Sequence, residues 1–290
     1  MTRALTVLDP GPQALIEDLG RPGNAHLGVP PSGALDQPAL RLANRLAGNP
    51  EGAAGIEALL GGLRLRAECS CTVAITGPAV EVRAGDRLAG SHQPVHLAEG
   101  ELLQVGRPDR GLRCYVGVSG GIAVPPQLGS RATDVLSGIG PDPLRSGDVL
   151  PLGEPSGLPA GADELAAEAP PDALTVPVLL GPRDDWFDEP AAQLAGASWT
   201  VSPQSNRVGV RLAGAPLHRA AAFTAVELPS EGVVTGAVQV PAAGRPVIFL
   251  ADHPTTGGYP VIGVLPPAGL AALAQARPGT VLRFRPAVGG

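Results

Sequence analysis

An apolar segment in the second half of the sequence is followed at once by side chains that can do chemistry. The segment 246–251 (PVIFLA) has the composition of a buried strand. The reactive side chains after it are Asp252, His253, Thr255, Thr256 and Tyr259. Together they suit the binding and polarisation of a small acid or amide with acid–base help. A tight turn carrying a few solvated polar residues explains the same pattern, and both interpretations stay open.

The same strand is predicted to form one half of a hairpin. Segment 237–240 is also apolar, and the turn 241–244 (PAAG) joins the two. After the second strand, Gly257 and Gly258 allow positive φ or a close approach of the backbone to a ligand. The hairpin would therefore present its polar ends at one rim of a small barrel.

Other polar segments offer further binding groups. The segment 16–36 packs polar side chains between glycines and prolines, so it is either a solvated surface or part of a site. Its polar members are Glu17, Asp18, Arg21, His26, Ser32 and Asp36. Arg131 follows a Gly-Ser pair and can bind a carboxylate or phosphate in bidentate fashion, with a surface ion pair as the alternative. The segment 202–214 is predicted to be a polar turn that runs into a strand, and it carries Ser205, Asn206, Arg207 and Arg211.

The elements that must position these groups are mostly short strands. Glycine-led turns feed apolar strands at 84–90, 99–106, 146–153 and 278–284. This repetition is typical of barrels built from short antiparallel strands. Strict alternation over 62–75 predicts one long strand with a buried face. The fold class predicted is mainly β, with two barrel-like domains and a few short helices.

Two helices are expected. Asp36 is a good N-cap with Pro38 in the first turn, and apolar residues then recur at helical spacing as far as Gly48. Asn44 lies near the apolar stripe of this helix, which leaves a structural hydrogen bond and a ligand contact as alternatives. The segment 266–276 begins with proline, ends before Arg-Pro-Gly and leads into a last strand.

Composition excludes several classes of protein. All 21 basic residues are arginine, so a lysine Schiff base, a P-loop lysine and a biotinyl-lysine are impossible on this chain. A net charge of −6 and few aromatic residues argue against a nucleic-acid groove. His92 and His96 flank a proline in strand-like surroundings, so no metal site is predicted there.

The cysteines and apolar runs indicate the compartment. Cys69, Cys71 and Cys114 lack metal-ligand spacing and are odd in number, which favours small core residues in a reducing compartment. No apolar run approaches the length of a membrane span and no cleavage signal appears at the N-terminus. A soluble cytoplasmic protein without membrane contact is therefore expected.

Two domains are predicted from composition. Residues 1–152 would form an N-terminal barrel with the ligand loop and one helix, and residues 174–290 a C-terminal barrel. The segment 153–173 between them is rich in Pro, Gly, Ala and acidic residues and is predicted to be a linker, with one helical turn at DELAAE (163–168).

Three long motifs carry a resemblance. They are similar to signatures of the allophanate hydrolase subunit 2, or biotin-dependent carboxyltransferase A/B, family. The motifs are ELPSEGVVTGAVQVP with ADHPTTGGYPVIG, SPQSNRVGVRLAG, and the N-terminal PGPQALIEDLGRPGNAHLGVPPSGALDQPALRLANRLAGN. The likeness is colinear over nearly the whole chain. Members include the 5-oxoprolinase C subunit, which this sequence most resembles, the carboxyltransferase part of urea carboxylase, and antagonists of a sporulation kinase inhibitor. The resemblance implies cyclophilin-like β-barrel domains.

The resemblance also implies a function. In the first version, the chain works with a subunit 1 partner (the 5-oxoprolinase B subunit) and a hydrolase-like A subunit to open 5-oxoproline to glutamate at the expense of ATP, and is inactive alone. ATP would bind through arginines, backbone amides and a magnesium ion, or at a site shared with a partner chain. The alternatives are carboxyl transfer from a separate biotinylated protein to urea or another amide, and a non-enzymatic partner of a kinase inhibitor. A free-standing chain of this length fits the first better than the usually fused urea carboxylase.

The resemblance suggests roles for the polar residues. Those assigned to catalysis are Asp252, His253, Tyr259 and Glu231. Those assigned to substrate binding are Asp18, Arg21, His26, Ser32, Arg131, Ser205, Asn206, Arg207, Arg211, Gln239, Thr255, Thr256, Gly257 and Gly258. The active groove is expected where the loop 18–36 meets the rim of the second domain.

Overall fold

The structure is a computed structural model that describes residues 3–160, 165–166 and 169–287. The chain divides into two compact units. The first unit contains 1–21, 32–134 and 138–170, and the second contains 22–31, 135–137 and 171–290. The division between Pro170 and Pro171 falls inside the segment 153–173. The helical turn predicted at DELAAE lies mostly outside the described residues.

In its described residues, the first unit contains eleven strands and one α-helix. In chain order they are β1 (Ala4–Asp9), β2 (Gln13–Glu17), α1 (Gln37–Leu46), β3 (Gly55–Leu59), β4 (Arg64–Ala67), β5 (Cys71–Thr76), β6 (Val82–Ala84), β7 (Arg87–Ala89), β8 (Pro94–Leu97), β9 (Leu102–Val105), β10 (Arg113–Val118) and β11 (Val149–Pro151). The strands form two sheets, with strand orders β11-β1-β4-β9-β6-β7 and β2-β3-β10-β5-β8. Apolar residues of both sheets meet in one core, which includes Leu5, Leu65, Ile56 and Val116.

Helix α1 forms where the sequence predicts it. The Asp36 side chain accepts a hydrogen bond from the Ala39 amide at 3.1 Å, which satisfies a backbone donor of the first turn. The helix packs on the five-stranded sheet, where the absence of a side chain at Gly117 allows close contact: a Cβ there would lie 2.7 Å from Ala43 backbone atoms. The buried Asn44 amide donates to the carbonyls of Glu51 and Ala53, which supports the structural alternative for Asn44.

The prediction of one long strand over 62–75 is wrong. The segment breaks after Ala67, so that β4 belongs to the six-stranded sheet and β5 to the five-stranded one. The Glu68 carboxylate accepts hydrogen bonds from Thr6 and Arg66 at the break. Alternation continues across it because both strands bury the same face in the shared core. The alternation of apolar and polar residues in the sequence therefore could not distinguish one long strand from two short ones.

The start of the polar segment 16–36 also differs from the prediction of a loop. Ile16 and Glu17 belong to β2, which pairs with β3 from Gln13↔Leu59 to Glu17↔Gly55. Glu17 is fully buried. The loop proper therefore begins at Asp18.

The second unit is built around a closed barrel. Its elements are β12 (Ala173–Leu180), α2 (Pro190–Gly196), β13 (Trp199–Val201), β14 (Gly209–Gly214), β15 (Glu231–Gly232), β16 (Ala237–Gln239), β17 (Val247–Phe249), β18 (Thr256–Gly257), β19 (Val261–Val264), α3 (Pro267–Ala274) and β20 (Val281–Ala287). The barrel order is β12-β19-β16-β17-β14-β13-β20, and β15 and β18 form a separate small sheet. The predicted hairpin is confirmed by the pairs Val238↔Ile248 and Gln239↔Val247.

The predicted mainly β class with a few short helices is confirmed. The predicted last helix and strand correspond to α3 and β20, whereas α2 was not predicted. None of the helices in the described part of the chain is long and apolar enough to cross a membrane.

Candidate functional site

The rim of the barrel contains a buried ion pair between Asp252 and Arg207. The two side chains are 0% and 2% exposed. Arg207 Nε lies 2.8 Å from Asp252 Oδ2, and Nη2 lies 3.1 Å from Oδ1. The Val135 amide donates to Oδ2 at 3.2 Å, and the Asp252 amide donates to the Arg207 carbonyl. Because this bidentate pair is fully enclosed, each side chain fixes the other, and the arrangement favours a positioning role for both.

His253 is also held on several sides. Its ring stacks on Phe249 with centroids 5.7 Å apart. Nδ1 lies 2.7 Å from the Pro254 carbonyl, and Nε2 lies 3.1 Å from the Thr235 hydroxyl. A carbonyl only accepts, so Nδ1 carries a proton, and Nε2 shares a hydrogen bond with the Thr235 hydroxyl. Sequence reasoning missed Thr235, although it lies inside the motif VVTGAVQVP.

Glu231 is positioned by an ion pair and by the small sheet. Arg183 Nε donates to Glu231 Oε2 at 3.1 Å, and its Nη2 contacts the other carboxylate oxygen. The hydrogen bond from Arg183 holds the pKa of Glu231 below its ordinary value. Glu231 pairs with Gly257 in the β15–β18 sheet, which places it beside the glycine-rich segment. The role of Arg183 was missed from the sequence, where its one signal is a position just before two aspartates.

The glycine-rich segment packs closely on Gln239. The Gln239 amide donates to the Tyr259 carbonyl at 3.1 Å. A Cβ at Gly257 would lie 2.5 Å from Gln239 Nε2, so only glycine permits this approach without a shift. Tyr259 is 47% exposed, which leaves its phenol accessible. Of the two threonines, Thr255 is half-buried and its carbonyl accepts from the Val233 amide, whereas Thr256 is exposed in β18.

The turn before β14 uses its polar side chains to fix its own backbone. Asn206 Oδ1 accepts from the amides of Val208 and Gly209 at 2.9 and 3.3 Å. Ser205 Oγ accepts from the Arg211 amide at 3.0 Å. These contacts stabilise the turn that carries Arg207, while the Arg211 side chain is exposed.

In the first unit, the structure gathers Asp18, Arg21, Ser32 and Arg131 around the segment 127–133. Asp18 Oδ1 accepts from the Gly20 amide at 2.8 Å and the Ser130 hydroxyl at 2.5 Å, and Oδ2 accepts from the Arg131 amide at 2.6 Å. The buried Arg21 guanidinium donates to the carbonyls of Gln127 and Ala132, and Ser32 Oγ donates to the Thr133 carbonyl. Arg131 Nε donates to the Val124 carbonyl at 2.7 Å.

His26 is not part of that group. It lies in a 3₁₀ turn (Ala25–Leu27) that belongs to the second unit, where it is exposed and its Nδ1 is 3.2 Å from the Gly23 carbonyl.

A buried polar network at the start of α1 was missed from the sequence. Glu57 Oε2 accepts from the Tyr115 hydroxyl at 2.7 Å and the Leu35 amide at 3.1 Å, and Oε1 lies 3.3 Å from Arg113 Nε. Tyr115 Oη in turn accepts from the Asp36 amide. Burial raises the pKa of Tyr115 well above its usual range, with Glu57 and Asp36 adding to the effect. The network fixes the N-cap, and its signal was a glutamate inside the otherwise apolar strand GIEAL.

Cysteine and metal chemistry have little support in the described residues. Cys69, Cys71 and Cys114 form no disulfide there, and burial raises the pKa values of Cys71 and Cys114 to about 12. These two thiols are therefore packing groups, as the sequence predicts. Within 3–160, 165–166 and 169–287, no cluster of three or more His, Cys, Asp or Glu side chains could hold a metal.

The chain matches a known family model and the sequences of known proteins. The family model described as "Carboxyltransferase domain, subdomain A and B" matches residues 27–286. The chain is 37% identical to the 5-oxoprolinase C subunit of Escherichia coli (strain K12), over 97% of this chain and 90% of that protein. It is 33% identical to urea amidolyase of Lachancea kluyveri, over 98% of this chain but 17% of that protein.

Solved structures show the same fold. The urea amidolyase of K. lactis aligns with a TM-score of 0.90 and 30% identity, over 98% of this chain and 19% of that one. The protein TTHA0988 aligns with a TM-score of 0.88 and 34% identity, over 98% of this chain and 55% of that one. The chain thus spans about half of the length of TTHA0988, and less of the amidolyase.

Proposed function

The chain belongs to the family of carboxyltransferase domains with subdomains A and B, and on that basis we propose that it is the C subunit of an ATP-dependent 5-oxoprolinase. The supporting observation is 37% identity over 97% of the chain to a relative named as the C subunit of 5-oxoprolinase, 90% of which is covered. The proposed partners are a subunit 1-like protein (the B subunit) and a hydrolase-like A subunit. The proposed reaction converts 5-oxoproline, ATP and two waters into glutamate, ADP and phosphate.

The chemistry requires an activated lactam. Phosphoryl transfer from ATP to the lactam oxygen, with release of ADP, would make the ring carbon attackable by one water. Opening the ring then needs a proton donor for the leaving nitrogen, and a second water releases phosphate from the resulting acyl phosphate. In this proposal Tyr259 supplies the proton because its phenol is accessible. Glu231, His253 and the Asp252–Arg207 pair hold the rim in place, and the exposed Arg211 meets negative charge on the substrate.

ATP and magnesium are proposed to bind with help from a partner chain. The sequence has no lysine for the phosphates, and the described residues offer no cluster of three or more His, Cys, Asp or Glu side chains that could hold a metal ion. A nucleotide site on this chain would use arginines and backbone amides for the phosphates, and a partner chain could supply the rest.

Carboxyl transfer is the second candidate because a urea amidolyase is 33% identical over 98% of the chain. In that case the same rim would hold a carboxylated biotin and urea or a similar amide. The biotin would have to come on a separate chain, since no lysine is available here.

The test is ATP hydrolysis by this chain co-purified with its two proposed partners. ADP release that depends on 5-oxoproline and is matched by glutamate supports the oxoprolinase. Silence with 5-oxoproline, together with turnover of urea and bicarbonate only when a biotinylated protein is added, would replace it with the carboxyltransferase.

A point variant then tests the rim. Tyr259→Phe should lower kcat by at least about a hundredfold if the phenol is the proton donor. Arg283→Gln, at an exposed position of β20, is the control and should leave kcat unchanged. Full activity of Tyr259→Phe in an intact complex would remove the phenol from the mechanism.

A further inference from the structure

A pocket of about 410 Å³ opens in the second unit beside the turn between β16 and β17. Its walls come from the loop 216–219 after β14, from Thr224 and from the segment 240–244. Asp252 and His253 instead follow the other end of β17. None of the residues assigned above to catalysis or substrate binding lines the pocket. Its volume is in the range of small-molecule sites.

The backbone fixes the shape of this pocket. The Leu217 amide donates to the Gly244 carbonyl at 2.8 Å, and the Gly244 amide donates to the Pro241 carbonyl at 2.9 Å. Gly244 has a φ of +70°, and a Cβ there would lie 2.7 Å from the Leu217 carbonyl oxygen. The two segments therefore approach more closely than any other residue would allow. This makes the pocket preformed.

The charge in the pocket comes from Arg219. Its guanidinium lies 5.7 Å from the ring centroid of Trp186, which stacks on Phe223 at 4.6 Å. Its Nη1 also donates to the Val226 carbonyl at 3.4 Å. These contacts orient the guanidinium without neutralising it. No carboxylate lines the pocket, and none forms an ion pair with Arg219 in the described part of the chain.

Two other polar side chains, His218 and Thr224, line the pocket. The backbone of His218 is held on both sides by one side chain: its amide donates to Gln193 Oε1 at 2.7 Å, and its carbonyl accepts from Gln193 Nε2 at 3.0 Å. The remaining walls are mainly apolar and include Pro216, Leu217 and Val240. The pocket thus combines one positioned positive charge with a hydrogen-bonding edge and a hydrocarbon surface.

We propose that this pocket binds a small organic carboxylate. Arg219 pairs with the carboxylate, whose planar oxygens match the guanidinium fork. His218 lines the same pocket and offers a hydrogen bond, and the Thr224 hydroxyl, which donates to the Ala220 carbonyl at 3.4 Å in the structure, would turn from that carbonyl to the ligand. The apolar walls take the hydrocarbon part of the ligand, which favours an organic acid over inorganic phosphate. This site is separate from the proposed oxoprolinase chemistry and does not depend on it.

The test uses butyrate as the probe and butyramide as its uncharged match. Trp186 lies beneath Arg219 and reports binding by fluorescence. The other tryptophan, Trp199, is 1% exposed in the barrel and packs against Phe284. We expect butyrate to change the fluorescence saturably, with a Kd on the order of 1 mM, and butyramide to give no saturable change.

Variants assign the binding to Arg219. Arg219→Gln should weaken butyrate binding at least about tenfold, as expected for loss of a charge-assisted hydrogen bond. Thr224→Val, which leaves the guanidinium in place, should weaken it about threefold or more. Arg245→Gln is the matched control, since Arg245 is exposed, follows the same turn and does not line the pocket; its binding should stay within about twofold.

Several results would overturn the proposal. They are equal binding of butyramide and butyrate, saturable binding of inorganic phosphate alone, and no saturable change up to about 50 mM of either anion. Equal weakening by Arg219→Gln and Arg245→Gln would have the same meaning. If Arg219→Gln does not fold, butyrate affinity of Thr224→Val equal to that of the parent chain overturns it.

Discussion

The loop after β2 and the loop after β17 each fix a buried aspartate, but they use different donors. Asp18 accepts hydrogen bonds from the amides of Gly20 and Arg131 and from the Ser130 hydroxyl. Asp252 is instead held by the Arg207 guanidinium, with one amide added. The two loops thus stabilise a buried carboxylate with different donors.

The difference lies in what remains when a partner is lost. Neutral donors stabilise a carboxylate in small steps, and one lost hydrogen bond leaves the others in place. A buried guanidinium and carboxylate compensate each other, so removal of one leaves the other charge enclosed without its counterion. The barrel rim should therefore be the more sensitive of the two regions.

The largest expected effect is that of Arg207→Ala. We expect the free energy of unfolding to fall by about 3–5 kcal/mol, because the buried Asp252 carboxylate loses its countercharge. Urea denaturation measures this loss. Arg211→Ala, at an exposed arginine of the next strand, is the matched control and should stay within about 0.5 kcal/mol. The double variant Arg207→Ala/Asp252→Ala should lose less than the sum of its single variants. Additive losses would show that the two charges do not depend on each other.

A smaller loss is expected for Asp18→Asn. The amide nitrogen of asparagine would face one of the donors that now meet a carboxylate oxygen, so about 1–3 kcal/mol of unfolding free energy should be lost. Asp9→Asn is the control, because Asp9 is exposed and accepts from the Gly11 amide in a similar short turn. Urea denaturation of both variants gives the comparison. A loss at Asp18 as large as that of Arg207→Ala would contradict the distinction between the two loops.

These two loops also show what sequence can and cannot predict. The motif that contains Asp252 and the motif that contains Arg207 were both recognised, yet the sequence did not indicate that the two side chains bind each other. They lie 45 positions apart, and periodicity reports which face a residue occupies, not its partner. Asp18 and Ser130 are paired over 112 positions for the same reason.

Sequence patterns among neighbouring residues predicted the structure correctly, whereas contacts between distant residues were missed. The N-cap Asp36 and the β16–β17 hairpin depend on neighbours in sequence and were predicted correctly. The break between β4 and β5 was missed because both strands bury one face in the same core. Thr235 was missed because a hydroxyl that orients His253 carries no spacing signal of its own.

The smallest effect is expected where a carboxylate and a guanidinium meet near solvent. The hydrogen bond from Arg183 lowers the pKa of Glu231 from an ordinary value of 4.5. A lowered pKa in the folded state means that the ion pair adds stability above pH 4.5 and loses it as the pH falls through the folded-state value. At pH 7, Glu231→Gln should lower the Tm by no more than about 3 °C, because solvent screens the pair. Thermal unfolding from pH 7 downward should show the Tm difference between the variant and the parent chain narrowing below pH 4.5.

The control is Glu227→Gln, at an exposed glutamate without an ion pair in the described residues; its Tm difference should show no such trend. A difference that widens in acid would mean that Glu231 gains its stability from something other than its negative charge.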